Sequence, residues 1–537
     1  MGIYLIVLYV LAMLVLGYWA MRKTKNVNDF FLGGRNIGPW MSAFAYGTTY
    51  FSAVLFIGYG GKLGWGFGLH TMWIVAGNVI IGSLLAWKVL GRRTREMTAR
   101  LNAMTMPEFL AERYRAPALK VLAALIIFVF LVPYSASVYM GLSYLFERAF
   151  DLPYTTALGI LAGLTAVYLI MGGYFAIALT DFLMGLLMLA GSGILLTLLI
   201  SGAGGIGQTF RLLTNWATCS PALNPPPGTP APAIPNWLTL ASLVVLTSVG
   251  PWGLPQMVQK FYSIKSGEQV KRAMIVATLF ALIVTLGGYF TGAMTHINIP
   301  NAPHVTTVTA STGDYTSGKD LPVKMKDGQP VMLPGGKPDI DWDRWIPTYL
   351  GNKLPAWVLL LIALLVFAAS MSTLSSLVLV SSSAVAIDLY GGSVNQRADR
   401  KTILLLMRIL CGLFVAVSLY VALRQPKIII NLMAISWGVL AGAFAAPYFY
   451  GLFWRRTTTI GAAAGMIVGV GAVLMVVRQY GDAGIPLAAA VAILSPFVVV
   501  PVVSLVTKPF EKTHLDKCFG VDQEPASKQA VTEPVGS

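Results

Sequence analysis

Long apolar runs separated by short charged links set the pattern of this chain. About thirteen such runs stand out, at 2–21, 40–60, 69–90, 119–146, 154–171, 174–200, 237–257, 273–296, 355–388, 402–423, 427–453, 459–477 and 484–507. A helix needs about 20 mainly apolar residues to cross a bilayer, and most of these runs have that length. In the polar segment 297–354, LPVKMKDGQPVMLPGG alternates around Asp327-Gly328 and predicts an exposed hairpin, and Trp342, Trp345 and Trp357 predict interfacial anchoring nearby. The pattern predicts an all-α integral membrane protein of about thirteen transmembrane helices.

The run from Phe367 to Tyr390 departs from plain lipid-facing composition. It carries Ser370, Ser372, Thr373, Ser375, Ser376, Ser381, Ser382 and Ser383. Ala369, Ser372, Thr373 and Ser376 share one helical face by their i, i+3, i+4, i+7 spacing, with Ser375 beside it. A neutral row of oxygens inside a membrane can replace the water shell of a small hard cation. The competing reading is packing: small residues let helices approach, and hydroxyls bond back to their own helix.

Two other runs contain helix breakers. The 40–60 run has Gly47, Gly58, Gly60 and Gly61, and the 237–257 run contains SVGPWGLPQ, with Gly250, Pro251, Gly253 and Pro255. Backbone freed within a membrane is tolerated where it lines a cavity, and matched breaks in two halves of a chain point to an inverted-repeat transporter. The 174–200 run adds Asp181, an intramembrane acid that needs a cation or another partner; Arg408 is one structural candidate. Asp388 lies at a helix end, where capping or headgroup contact accounts for it.

Composition changes this picture little. Of the 537 residues 56% are hydrophobic and 11% charged, and the net charge of +16 reads as topology rather than nucleic-acid binding. The links 22–36, 88–120, 258–272, 391–401 and 455–458, with the tail from 508, hold 25 of the 38 lysines and arginines. That bias predicts an N-terminus outside and a C-terminus in the cytoplasm of a plasma (inner) membrane. Positive charge follows the first apolar run rather than preceding it, so no cleaved signal peptide is expected. Cys219, Cys411 and Cys518 lie in different contexts and predict no disulfide, and His70, His296, His304 and His514 have no metal-ligand spacing. No H-E-x-x-H pattern or aspartate pair supports an intramembrane enzyme. A transporter-like sensor would need more than the polar tail 508–537 supplies.

Four stretches carry a family resemblance. They are Gly451 to Gly471 (GLFWRRTTTIGAAAGMIVGVG, with Arg456, Gly461, Ala462 and Gly469), MSTLSS followed by SSSAVAIDLY, LTDF around Asp181, and FFLGGRNIG from Phe30 to Gly38. In these the chain resembles the sodium:solute symporter family over residues 1 to about 507. The resemblance implies a leucine-transporter-like core of two inverted five-helix repeats with broken first and sixth core helices. The corresponding division is a leading helix and inner link at 1–36, repeats at 37–202 and 237–454, a Pro-rich outer loop at 203–236, two further helices at 455–507 and the tail. A monomer is the functional unit by the same resemblance.

Carried over by position, the family's shared sodium site takes the carbonyls of Thr48, Phe51 and Ala369 with the hydroxyls of Ser372 and Thr373. A second sodium in some members corresponds to Asp181, Ser375 and Ser376. The solute is expected near the midplane, with Thr49, Tyr50, Ser52, Tyr134, Tyr139, Ser248, Trp252, Gln256, Met433 and Trp437 as candidate contacts. Tyr50 stands where the proline-transporting branch has an acid, and Thr247 where it has an aromatic. Leu55 and Ala434 stand where sugar carriers have amides, which disfavours a sugar. The expected function is sodium-coupled import of a small amino acid or carboxylate by alternating access. Proton coupling through Asp181 is the alternative, and a membrane sensor a more distant one.

Overall fold

The computed structural model describes residues 27–171, 174–215, 219–225, 231–298, 322–326, 329–333 and 337–520, with a few more between 8 and 16. The first apolar run, 2–21, lies largely outside them. The described chain is helical almost throughout. Its principal helices are α1 Pro39–Tyr50, α2 Val54–Leu63, α3 Met72–Val79, α4 Pro117–Phe150, α5 Tyr154–Met171, α6 Tyr174–Gly202, α7 Asn236–Val249, α8 Pro255–Ser263, α9 Val270–Asn298, α10 Trp342–Lys353, α11 Ala356–Ser383, α12 Arg400–Arg424, α13 Ile429–Phe453, α14 Thr459–Tyr480 and α15 Ile485–Val506.

Among the described residues nine continuous helical stretches are long and apolar enough to cross a membrane, against about thirteen expected. The break after α1 leaves too short a helix, and the stretch Thr459–Val506 holds both α14 and α15. The architecture is a multi-span helical bundle. α11 and α13 lie at its centre, almost wholly buried, whereas α12, α14 and α15 expose many aliphatic side chains, as lipid-facing helices do.

The Gly-rich signature between α13 and α15 is explained by close approach. A Cβ on Gly461 would lie 2.1 Å from the Ser504 hydroxyl oxygen, one on Gly465 2.4 Å from a Val500 methyl, and one on Gly469 2.2 Å from the Gly442 carbonyl oxygen. Thr458 caps α14 by accepting the Gly461 N–H, and Arg456 donates to the Leu505 and Thr507 carbonyls at the end of α15. The Phe30–Gly38 link also gains a reason. Gly33, Gly34 and Arg35 turn through positive φ, so that Ile37 bonds to Ser263 and Lys265 beyond the end of α8. Arg35 meanwhile donates to the Ala103 carbonyl at 2.6 Å.

Three placements differ from the expectations. Gly47 does not break its helix; it makes room for the Phe280 ring. Asp388 is fully buried rather than at a headgroup boundary: Thr105 donates to it at 2.7 Å and the Lys120 ammonium lies 3.8 Å away. Trp345 is no interfacial anchor, since it is buried against Trp65 at 5.0 Å, while Trp357 is exposed. The hairpin expected in the outer segment has its strands: Met325–Lys326 pairs antiparallel with Gln329–Pro330, flanking residues 327 and 328.

The same segment supplies α10, which packs over α2. Arg344 grips Glu147 of α4 through two 3.1 Å bonds and Asp341 through one of 2.9 Å. Asp343 accepts the Ile429 N–H at the start of α13, at 3.1 Å to its nearer oxygen. Burial, then repulsion from Asp341, pushes the Asp343 carboxyl up to about 7, against the pull of that N–H, Lys62 and Lys324.

Two outcomes follow from this packing. Gly469→Ala should destabilise the purified protein by about 1–3 kcal/mol through overpacking, whereas Gly471→Ala, with open space around it, should leave its melting temperature unchanged. A folded-state pKa above the unfolded one means that Asp343 stabilises most below about pH 4 and progressively less as pH rises to about 7. The melting temperature should therefore fall less steeply over that window in Asp343→Asn; identical slopes would show that Asp343 does not titrate there.

Candidate functional site

The site begins where α1 stops. Phe51 takes an extended backbone (φ −116°, ψ 111°), although its N–H still reaches the Gly47 carbonyl at 3.1 Å. The last carbonyls of α1 are thereby left without helical partners. Hydrocarbon offers them none, so a neighbouring helix must. α11 does so: the Thr373 hydroxyl lies 3.1 Å from the Thr48 carbonyl, 3.3 Å from that of Thr49 and 3.1 Å from that of Ala369. Ser372 donates to the Thr48 hydroxyl at 2.7 Å. All of these residues are buried. One hydroxyl proton faces three acceptors, and an excess of neutral oxygens over donors suits a small cation. Of the expected set, Thr48, Ala369, Ser372 and Thr373 are brought together. The Phe51 carbonyl is not among the partners of Thr373; that of Thr49, a residue expected among the solute contacts, is.

The remaining hydroxyls divide between the two readings. Ser370, Ser375, Ser382 and Ser383 bond back to carbonyls of α11 itself, at 2.6 to 3.1 Å. Ser376 instead reaches two other helices, meeting the Thr49 hydroxyl at 2.9 Å and the Lys260 ammonium at 2.9 Å.

Lys260 corrects the sequence reading, which counted it in the charged link 258–272. α8 continues to Ser263, and Lys260 is completely buried within it. Its Nζ lies 4.0 Å from Asp181 Oδ2 on α6 and 4.9 Å above the Tyr174 ring. The structural partner of Asp181 is therefore Lys260; Arg408 is exposed on α12. The signal that could have found it is position: five residues beyond Pro255, it has not yet left the helix that the proline starts.

The second break lies between α7 and α8. Gly250–Trp252 forms a tight turn and Leu254 is extended. Gly253 is required there, because a Cβ would lie 2.5 Å from the Ala445 nitrogen of α13. Beside both breaks is a narrow cavity. Of the ten solute candidates Tyr50, Ser52, Tyr134, Met433 and Trp437 line it, together with Phe51, Asn78, Thr247 and Tyr289. The Tyr50 hydroxyl donates to the Thr247 carbonyl and lies 3.3 Å from Asn78 Oδ1. The Tyr134 ring stands edge-on to Trp437, with centroids 5.6 Å apart. The other five candidates are outside this lining. Thr49 is bound to Ser376, Trp252 donates to the Ile81 carbonyl, Ser248 lies 3.5 Å from Asn78, and Tyr139 and Gln256 are buried. Asn78 was missed, because a lone amide in an apolar run has no spacing to mark it.

Comparison with known proteins places this geometry in context. The sequence model of the sodium:solute symporter family matches residues 30–316 and 342–469. An osmoregulated proline transporter of Bacillus subtilis is 28% identical over 476 residues, covering 87% of each chain. The sodium/proline symporter of Escherichia coli is 26% identical over 487 residues, covering 89% of this chain and 88% of its own. Among solved structures, a Na+-coupled sialic acid symporter in a substrate-bound, outward-open state superposes with a TM-score of 0.74 at 17% identity, over 95% of this chain and 98% of that one. A nucleobase-cation-symport-1 family transporter in a closed conformation gives 0.50 at 14% identity, over 92% and 99%. These two likenesses show a shared fold.

Proposed function

This chain belongs to the sodium:solute symporter family, and on that premise we propose that it imports a small, partly apolar amino acid or carboxylate together with sodium. It is a multi-pass membrane transporter rather than an enzyme, and the coupling ion is sodium. Sodium entering down its gradient gives the solute its driving force. At 100 mV each charge moved contributes about 2.3 kcal/mol from the potential alone.

The observation that carries the reading is the convergence of the Thr48, Thr49 and Ala369 carbonyls on Thr373, with Ser372 and Thr48 adding hydroxyls. We place the sodium there. Thr49 and Tyr50 then link ion and solute, because they follow Thr48 directly and Tyr50 reaches into the cavity. The cavity beside the breaks is narrow and bounded by side chains that include those of α1, α4 and α13. Its aromatic walls suit an apolar body, with Asn78, Ser52 and the tyrosine hydroxyls as polar partners. The proline carriers among the relatives support an amino acid. Tyr50 in place of an acid leaves room for other small amino acids.

The same reading includes thirteen crossings with the N-terminus outside, a monomeric unit, and inverted repeats at 37–202 and 237–454. Its support is the pair of breaks, one in each half, that meet at the same central helix. The segment 203–236, the helices in 455–507 and the cytoplasmic tail flank that core.

Ser372→Ala and Thr373→Ala should each raise the sodium concentration for half-maximal uptake by about tenfold, the equivalent of about 1.4 kcal/mol. Uptake of a panel of labelled small amino acids into proteoliposomes measures this. Unchanged sodium dependence in both variants would remove the ion from this junction.

A further inference from the structure

The family resemblance offers a second sodium position at Asp181, Ser375 and Ser376, and this chain's own residues do not fit one. Asp181 is the sole carboxylate at that position among the described residues, and it already faces the Lys260 ammonium at 4.0 Å. Ser376, which would be a ligand, instead accepts from Lys260 at 2.9 Å. Ser375 uses its proton within its own helix, on the Met371 carbonyl at 2.6 Å. The Ser372 hydroxyl flanks Asp181 but donates to Thr48. Asp181, Lys260, Ser375 and Ser376 are all fully buried.

Charge balance gives the physical reason. One buried carboxylate neutralises one buried cation, and a further positive ion would leave the site with a net charge in a low-dielectric interior. The other partners of Lys260, the Ser376 hydroxyl at 2.9 Å and the face of Tyr174 at 4.9 Å, attract a cation but carry no charge. The remaining buried acids among the described residues are committed elsewhere, Asp388 to Thr105 and Lys120, Asp343 to the Ile429 N–H and Asp341 to Arg344.

We propose that the Lys260 ammonium is the built-in second cation of this transporter: tethered to α8, it fills the place beside Asp181 and Ser376, so that the chain binds one sodium rather than two. The inference rests on the sodium-coupled reading above. It also gives the tether a mechanical consequence. A free sodium leaves the site in each cycle, whereas Lys260 stays attached to α8 and reports the position of α8 to α6 and α11 in every state. The two halves of the site are joined through Ser376, which touches both Lys260 and Thr49.

Sodium itself is the probe. Equilibrium binding of ²²Na⁺ to the purified full-length protein in nanodiscs, without solute, counts ions per chain. The wild type should bind one, and Asp181→Asn should still bind one, because Asp181 is not a sodium ligand here. Lys260→Met should roughly double the capacity, since it leaves a buried carboxylate that sodium can neutralise. Lys260→Met with Asp181→Asn should return it to one. Two sodium ions on the wild type, loss of an ion in Asp181→Asn, or a monodisperse Lys260→Met that still binds one would each overturn the proposal. If Lys260→Met does not fold, the wild-type count and the Asp181→Asn count decide. No binding to the wild type with one ion on Lys260→Met would uphold Lys260 and remove only the Thr373 site. No binding to either would remove both.

Discussion

Broken backbone inside a membrane has to be satisfied by something other than water, and much of this structure is arranged around that constraint. α1 ends at Tyr50 with free carbonyls, and Thr373 of α11 meets them. α8 starts after the second break and sends Lys260 to Ser376 of the same helix, one turn further on. A single buried helix thus holds the loose ends of both halves. Because α11 grips α1 through oxygens that a cation would also use, an ion at the proposed junction would share one set of acceptors with the helix end and so alter how firmly α1 is held.

The Asp181–Lys260 pair sets the electrostatics of the same region. Neither charge would be stable alone at complete burial, and together they add no net charge to the membrane interior. Its neighbours are arranged accordingly. Ser376 accepts from the ammonium and Tyr174 presents its ring face to it. The neutral oxygens at Thr373 are left free of a formal charge, which suits the sodium position proposed there.

Much of this could be read from the chain, for reasons that differ by residue. The apolar runs and their links revealed the bundle, because bilayer thickness fixes helix length. Ser372 and Thr373 were legible because hydroxyls on one face of an apolar helix follow a spacing. The second break was legible because Pro255 and Gly253 have few other uses in a span. What escaped was tertiary. Lys260 looked like a topology charge, since a helix end cannot be placed within a turn by hydropathy. Asn78 became a cavity group only when α3 was laid against Tyr50. Gly47 looked like a breaker but makes space for Phe280, and Trp345 looked like an interface anchor but packs inward, because composition does not reveal which neighbour arrives.

The central claim is that sodium occupies the junction between the end of α1 and α11. The most direct measurement is the melting temperature of the purified protein in sodium against equal potassium or choline, repeated with a panel of small amino acids. Binding to the folded state predicts a sodium-specific rise that one class of solute enlarges, because each ligand strengthens the other. Equal melting temperatures in all three cations, with and without solute, would contradict it.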